Sequence, residues 1–304
     1  MNQGLGKRIT SIDKDGIPKF SNAISTGKWV GEIQLVKEEG VDVCNLCRNK
    51  IVQGLSEDHV PPKCMGNKGK FHYVNYLNFC TNSTVDYYGI FNGGIKYKTV
   101  CEKCNNEELY PFDVEIDKFV RAYHENKNKN NNVVEIECKP QLIIKGLIGH
   151  FLAASLSNSP STYEMQMLAY FWDNKKFHDN VNIYLLHYND QNLVSVLREV
   201  IFTPIITKGI PMTINCLKCY PFAFFQVMDG RINEAEDWNQ WLYTDGTQLI
   251  SIDTTRSVGK WFPELFYPVG SGKLLGHNSV HSVIGFREKE ELPNDVKSKN
   301  KTNM

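Results

Sequence analysis

Two Cys-x-x-Cys pairs, Cys44/Cys47 and Cys101/Cys104, bracket the tripeptide Glu57-Asp58-His59, and the second pair runs straight into Asn105-Asn106. No other feature constrains the chain as much. Four thiolates from two such knuckles make a closed, tetrahedral structural zinc site, which requires the chain between them to fold back on itself. An Asp-His pair at a strand end and an Asn at a helix start make a different, open site. There a second cation can sit beside a histidine base. In this layout the closed site holds the open one in place.

Read in order, Cys44-Asn45-Leu46-Cys47, Glu57-Asp58-His59-Val60-Pro61-Pro62-Lys63 and Val100-Cys101-Glu102-Lys103-Cys104-Asn105-Asn106 resemble the HNH endonuclease family, whose members often carry flanking zinc knuckles. The resemblance covers roughly residues 40 to 125, less than half of the chain. A single Cys-x-x-Cys is weak evidence. Two of them, enclosing Asp-His-Val-Pro-Pro and ending in Cys-Asn-Asn, require several independent elements to agree. The resemblance implies an α+β fold: a ββα-metal (His-Me finger) nuclease module with zinc knuckles, then a mixed domain of helices and antiparallel strands.

The resemblance also implies roles. His59 would be the general base, since an imidazole titrates near neutral pH and can take a proton from water. Asp58 would hold a divalent cation, although strand alternation alone sends it to the opposite face from His59 unless the strand bends. Asn105, with Asn106 as the close alternative, would supply a second ligand from the helix start. Oxygen ligands suit a hard cation, so Mg²⁺ or Mn²⁺ is expected there. The family's middle asparagine, which orients the histidine, usually lies a few residues before the second knuckle. Here Ile95-Lys96-Tyr97-Lys98-Thr99-Val100 fills that space, and Asn92 is the nearest candidate, with Asn78 and Asn82 further back. The implied reaction is hydrolysis of phosphodiester bonds in DNA, with double-stranded DNA as the expected partner. HNH proteins with a second domain also resemble effectors of bacterial defence against phage. A zinc ribbon that binds a partner and cleaves nothing is the alternative that the same cysteines allow.

Composition narrows the rest. The chain has 304 residues, enough for two domains and a sizeable core. Its 34 basic and 34 acidic residues balance, so DNA contact would need a local patch. Lys63, Lys68 and Lys70 beside the motif are the candidates for phosphate contacts. Nine cysteines are few for a disulfide scaffold of this length, and their knuckle spacing points to metal in a reducing cytoplasm. Met1 to Thr10 has charges without an apolar core behind them, so no signal peptide is expected. The apolar stretch from Leu142 to Leu156 contains Lys145 and His150 and is too short to span a bilayer.

The expected division is an N-terminal leader (1–40) packed on the module, an HNH domain (41–125), a polar linker (126–132), a second domain (133–287) and a disordered tail (288–304). The second domain would serve sensing, targeting or dimerisation, which admits a homodimer, or an activating ligand or partner protein. Cys104 to Leu109 should open a short helix ended by Pro111, with Asp113 capping the next helix, whose apolar face is Ile116, Phe119, Val120 and Tyr123. Further on, a strand is expected at Val133–Cys138, then a helix bearing Ile144, Leu147, Ile148, Phe151 and Leu152, then a helix over Thr162–Trp172. Strands should follow at Ile183–Leu186, Glu199–Ile206, Met212–Leu217, Ala223–Met228 and Gln248–Ile252. Cys216-Leu217-Lys218-Cys219 lacks a matching fourth pair. With Cys64, Cys80 and Cys138 it reads as buried thiols. His277 and His281 read as structural, Gly270-Ser271-Gly272-Lys273 as a turn, and Tyr220 to Phe225 as a buried strand rather than a base-stacking surface.

Overall fold

The computed structural model describes residues 7–12, 18–20, 33–37, 42–76, 89–127, 132–175, 177, 180–202, 212–232, 235, 237–260 and 282–287. Within them the fold is mixed α+β, with three sheets and the main helices packed between. Outside lie residues 128–131 of the polar run, Asn78, Asn82, Cys80, Gly270 to Lys273, His277, His281 and residues 288–304.

The first sheet is built around the knuckles. β1 (Lys7–Ile12) pairs with β2 (Pro18–Phe20) and, in parallel, with β3 (Ile33–Val36). β3 runs parallel to β7 (Lys96–Val100), and β4 (Ser56–His59) closes the edge antiparallel to β7. The chain leaves β7 through Cys101 and enters a π-turn at Cys104–Glu108, then α1 (Tyr110–Asn126). Pro111 was expected to end a helix here; it sits instead in the first turn of one. That position suits it, because its missing N–H would have no intrahelical partner there. Asp113 accordingly lies inside the first turn rather than at the cap, and its side chain is free for the contact described below. The expected apolar face is correct: Ile116, Phe119, Val120 and Tyr123 are buried.

After β8 (Val133–Cys138) comes α2 (Pro140–Ala153), of which every residue but Leu142 is buried. A helix buried on nearly all sides belongs in the middle of a structure. Its small residues set how close the neighbours come. A Cβ at Gly146 would lie 2.9 Å from Phe112 Cβ, and one at Gly149 would lie 2.4 Å from Leu109 Cδ2. α1 therefore crosses α2 at a distance only glycine permits. α3 (Thr162–Asp173) starts at a capping box in which the Ser161 hydroxyl accepts from the Glu164 N–H and Glu164 answers to the Ser161 N–H. No helix among the described residues is long and apolar enough to cross a membrane.

The largest sheet has eight strands. β9 (Val181–Tyr188), β12 (Phe222–Met228), β11 (Met212–Cys219) and β10 (Leu193–Phe202) pair antiparallel in that order. β10 starts six residues before the expected strand, and the end of that expectation, 203–206, lies outside the described residues. Beyond β10 the sheet continues through β15 (Val283–Phe286) to β5 (Phe71–Asn75) and β6 (Gly89–Phe91). The long segment between the two knuckles thus supplies two strands to the sheet formed by the later part of the chain. At the opposite edge β14 (Ser257–Val258) pairs with β9, while β13 (Gln248–Asp253) pairs with β8 in a sheet of two. A single buried cluster runs from Ile33 through Cys44, Tyr97, Phe119 and Phe151 to Val283. Of the aromatic run, Phe222, Phe224 and Phe225 are buried in β12, while Tyr220 is half-buried in the turn before it.

Candidate metal centre and the buried carboxylate–histidine bridge

Cys44, Cys47, Cys101 and Cys104 converge. Their sulfur atoms all lie within 4.8 Å of one another, and Cys47 Sγ is 3.9 Å from Cys101 Sγ. A zinc ion bound by four thiolates at about 2.3 Å requires sulfurs about 3.8 Å apart, so the donor set and spacing fit. Backbone N–H groups already point at the sulfurs: Cys101 N–H donates to Cys44 Sγ at 3.2 Å and Cys104 N–H to Cys101 Sγ at 3.4 Å. The neighbouring Cys104 thiol holds Cys44 well below the usual thiol range, while Cys104 is pushed up in return. Among the described residues this is the one group of three or more His, Cys, Asp and Glu side chains that could hold a metal ion. Cys138, Cys216 and Cys219 are buried, as expected, and Cys64 is half-buried.

The first knuckle is tied to α2. Asn45 Nδ2 donates to Leu152 O at 2.9 Å and Ser155 O at 2.7 Å, and Thr99 Oγ1 donates to Ala153 O. The carbonyls at the end of a helix lack intrahelical partners, and the knuckle supplies them. Trp172 Nε1 from α3 donates to Leu46 O at 3.0 Å.

His59 ends β4, opposite Lys96 of β7. Its Nε2 lies 2.9 Å from Gly93 O, which can only accept, so Nε2 carries the proton in this bond. Burial lowers the His59 pKa, and Lys96 and Lys63 add to the effect against the pull of the Gly93 carbonyl. The turn that presents Gly93 depends on Gly94, whose φ is +106° and whose absent Cβ would sit 2.4 Å from Asn67 O. Asn67, wholly buried, fixes that turn: Nδ2 donates to Pro61 O at 2.7 Å and Ile95 O at 2.9 Å, and Oδ1 accepts from Ile95 N–H at 2.7 Å. Asn92 is exposed in the same turn.

Asp58 goes the other way. The register of β4 on β7 shifts between Ser56 and Glu57, upstream of the pair, so Asp58 and His59 still alternate across the strand. Asp58 is buried and its Oδ2 lies 2.8 Å from His150 Nδ1 in α2. His150 Nε2 lies 2.7 Å from Asp113 Oδ1 in α1. Burial would lower the His150 pKa, but Asp58 and Asp113 together outweigh it and raise the imidazole to about 10. Asn105 Nδ2 donates to Glu57 O at 2.9 Å and Ser56 Oγ at 3.2 Å, along the same edge strand. Asp58 Oδ1 and Asn105 Oδ1 take no hydrogen bond from the described residues. The geometry therefore brings Asn105 to the strand carrying Asp58, and separates the Asp58 carboxylate from the His59 ring. Asn106 joins Glu57, Asn105, Glu107 and Trp172 in lining an open cleft beside the cysteines. Lys63, Lys68 and Lys70 are exposed, and the loop between them is held by Arg287, which donates to Lys68 O at 2.7 Å and Gly66 O at 2.5 Å.

Comparison with protein-family models, curated proteins and solved structures found no match to this chain. The site must be read from its own geometry. Three of its residues escaped the sequence reading. His150 stood out only as a polar interruption of an apolar stretch, because its partners are 92 and 37 residues away. Asp113 read as a cap. Asn67 lies in Gly66-Asn67-Lys68-Gly69, and a side chain that braces backbone leaves no spacing to recognise.

Proposed function

We propose that this chain is a metal-dependent HNH-type endonuclease that hydrolyses DNA phosphodiester bonds. The observation that carries the reading is the unit formed by β4, the antiparallel β7 and the helix entered through Cys104, with His59 held on the Gly93 carbonyl at its open end. Because Nε2 donates to Gly93 O, the neutral ring has its lone pair at Nδ1, available to take a proton from a water. Asp58 Oδ1 and Asn105 Oδ1 are the oxygens that would hold Mg²⁺ or Mn²⁺. Two protein oxygens suit a cation that keeps most of its own waters. When bound, the cation supplies charge stabilisation for the phosphoryl oxygens and the leaving group. Lys63, close enough to His59 to lower its pKa, would meet phosphate, and Lys96, which also lowers it, would do so beside its partner Glu57. The cysteine cluster would hold a structural zinc and fix the strand end against the helix start.

A second reading rests on one specific observation. Asp58 faces His150 rather than His59, which suits a zinc-bound scaffold that recognises a partner without cutting. Plasmid nicking in Mg²⁺ or Mn²⁺ separates the two. On the endonuclease reading His59→Ala should keep zinc and fold but lose about 10²–10⁴-fold in rate, the usual contribution of a positioned base. Cleavage by His59→Ala equal to the parent protein across both metals would remove the nuclease and leave the scaffold.

A further inference from the structure

We infer that His150 is a positioning residue for the Asp58 carboxylate, so that α2, from the later part of the chain, completes the cation site. The inference rests on the reading of Asp58 as a cation ligand. His150 is 1 % exposed, and both ring nitrogens are occupied, by Asp58 Oδ2 at 2.8 Å and Asp113 Oδ1 at 2.7 Å. The ring therefore cannot turn without breaking two charge-assisted bonds, the one to Asp58 buried on both sides. Nor can the helix that carries it shift easily. Its last carbonyls are held by Asn45 and Thr99, and Gly146 and Gly149 seat it against α1 and α3.

The consequence falls on Asp58. One carboxylate oxygen is committed to His150, and the other, Oδ1, is left without a protein partner among the described residues. A carboxylate at a strand end without such a tether would rotate freely and present either oxygen or neither. His150 also links two elements at once, since Asp58 is on β4 and Asp113 is on the helix that Asn105 leads into. The cysteine cluster fixes the strand against the helix on one side of the site. The imidazole fixes them on the other. Hydrogen-bond partners of ligating side chains are typically worth about 10–100-fold in metal affinity.

A purely structural ion triad would look the same in a static picture, and two conservative variants tell them apart. In His150→Asn the side-chain amide occupies the place of Nδ1 and keeps the bond to Asp58. In His150→Gln it occupies the place of Nε2 and keeps the bond to Asp113. Mn²⁺ binding to the zinc-loaded full chain, measured by calorimetry, should weaken by about 10–100-fold in His150→Gln and stay close to the parent protein in His150→Asn. Thermal melting should fall in both, since each loses one bond. Mn²⁺ affinity that falls equally in the two variants, or in neither, overturns the positioning role. Should His150→Gln fail to fold, His150→Asn decides alone: retained Mn²⁺ binding supports the inference and lost binding overturns it. Asp58→Ala separates this inference from the reading beneath it. If Mn²⁺ binds Asp58→Ala undiminished, the ligand assignment itself falls; if Asp58→Ala loses Mn²⁺ while His150→Gln binds it normally, only the positioning role falls.

Discussion

Around the four cysteines the regular elements are short: β4 has 4 residues and β7 has 5. In the large sheet β9, β10, β11 and β12 have 8, 10, 8 and 7, and β12 is buried at every position. The two regions solve the same problem with different means. Short strands with one edge open bury too little apolar surface to hold their own turns, so the knuckle region depends on convergent sulfurs and on side chains that satisfy backbone groups, such as Asn45, Asn67 and Thr99. The sheet has apolar area to spare and tolerates a buried charge pair against the helix packed on it, Arg198 of β10 with Glu164 of α3 at 2.8 Å. Loss of one cysteine ligand should therefore be catastrophic in the first region, whereas loss of one side chain in the second should be graded.

The largest effect expected is on the cysteine cluster. Cys104→Ser should lose the metal and unfold the knuckle region, because structural zinc binding is worth on the order of 10 kcal/mol in isolated fingers. Metal analysis of purified protein should give about one zinc per chain for the parent and none for the variant, with Cys216→Ser unchanged from the parent. Full zinc in Cys104→Ser would break the comparison at its root.

Next in size is the buried pair between β10 and α3. Arg198→Met leaves Glu164 charged in a place with no water, which should cost about 3–5 kcal/mol in urea unfolding. Adding Glu164→Gln removes the orphaned charge and keeps an acceptor for the Ser161 N–H, so the double variant should regain a large part of the loss. A double variant as weak as the single would show that packing of the long Arg198 side chain against Phe151, not charge, sets the cost. Asn45→Ala comes third. It strips donors from two buried helix-end carbonyls, Leu152 O and Ser155 O, and should cost about 1–3 kcal/mol.

How much of this was legible beforehand follows the same divide. Cys44, Cys47, Cys101 and Cys104 were readable because metal chemistry fixes spacing within each pair, and the sheet strands because apolar runs between turns mark them. The faces of α1 and α2 followed from period. What stayed hidden was every contact made across the chain by one polar side chain: His150 to Asp58, Asn67 to Ile95, Asn45 to Leu152. A carboxylate looks the same in sequence whether it faces a cation or a histidine from another helix. The membership of β5 and β6 in the large sheet was hidden for a related reason, since β5 joins it through β15, about two hundred residues later, and pairing leaves no local trace.

The smallest expected effect tests whether the regions are energetically separate at all. Trp172 stands at the end of α3 and sends its indole N–H to Leu46 O inside the first knuckle, while the residue as a whole is 41 % exposed. Trp172→Phe removes that one bond and keeps most of the packing. A net hydrogen bond is worth about 0.5–1.5 kcal/mol, and partial exposure puts this one at the low end, because water can replace the lost donor at Leu46 O. Melting should fall slightly and zinc content should stay at the parent level, since the four sulfurs carry the knuckle without help from α3. Zinc loss in Trp172→Phe at a chelator concentration the parent survives would mean the opposite. The knuckle would then lean on the helices behind it, and the contrast between a metal-held region and an apolar one would give way to a single coupled structure.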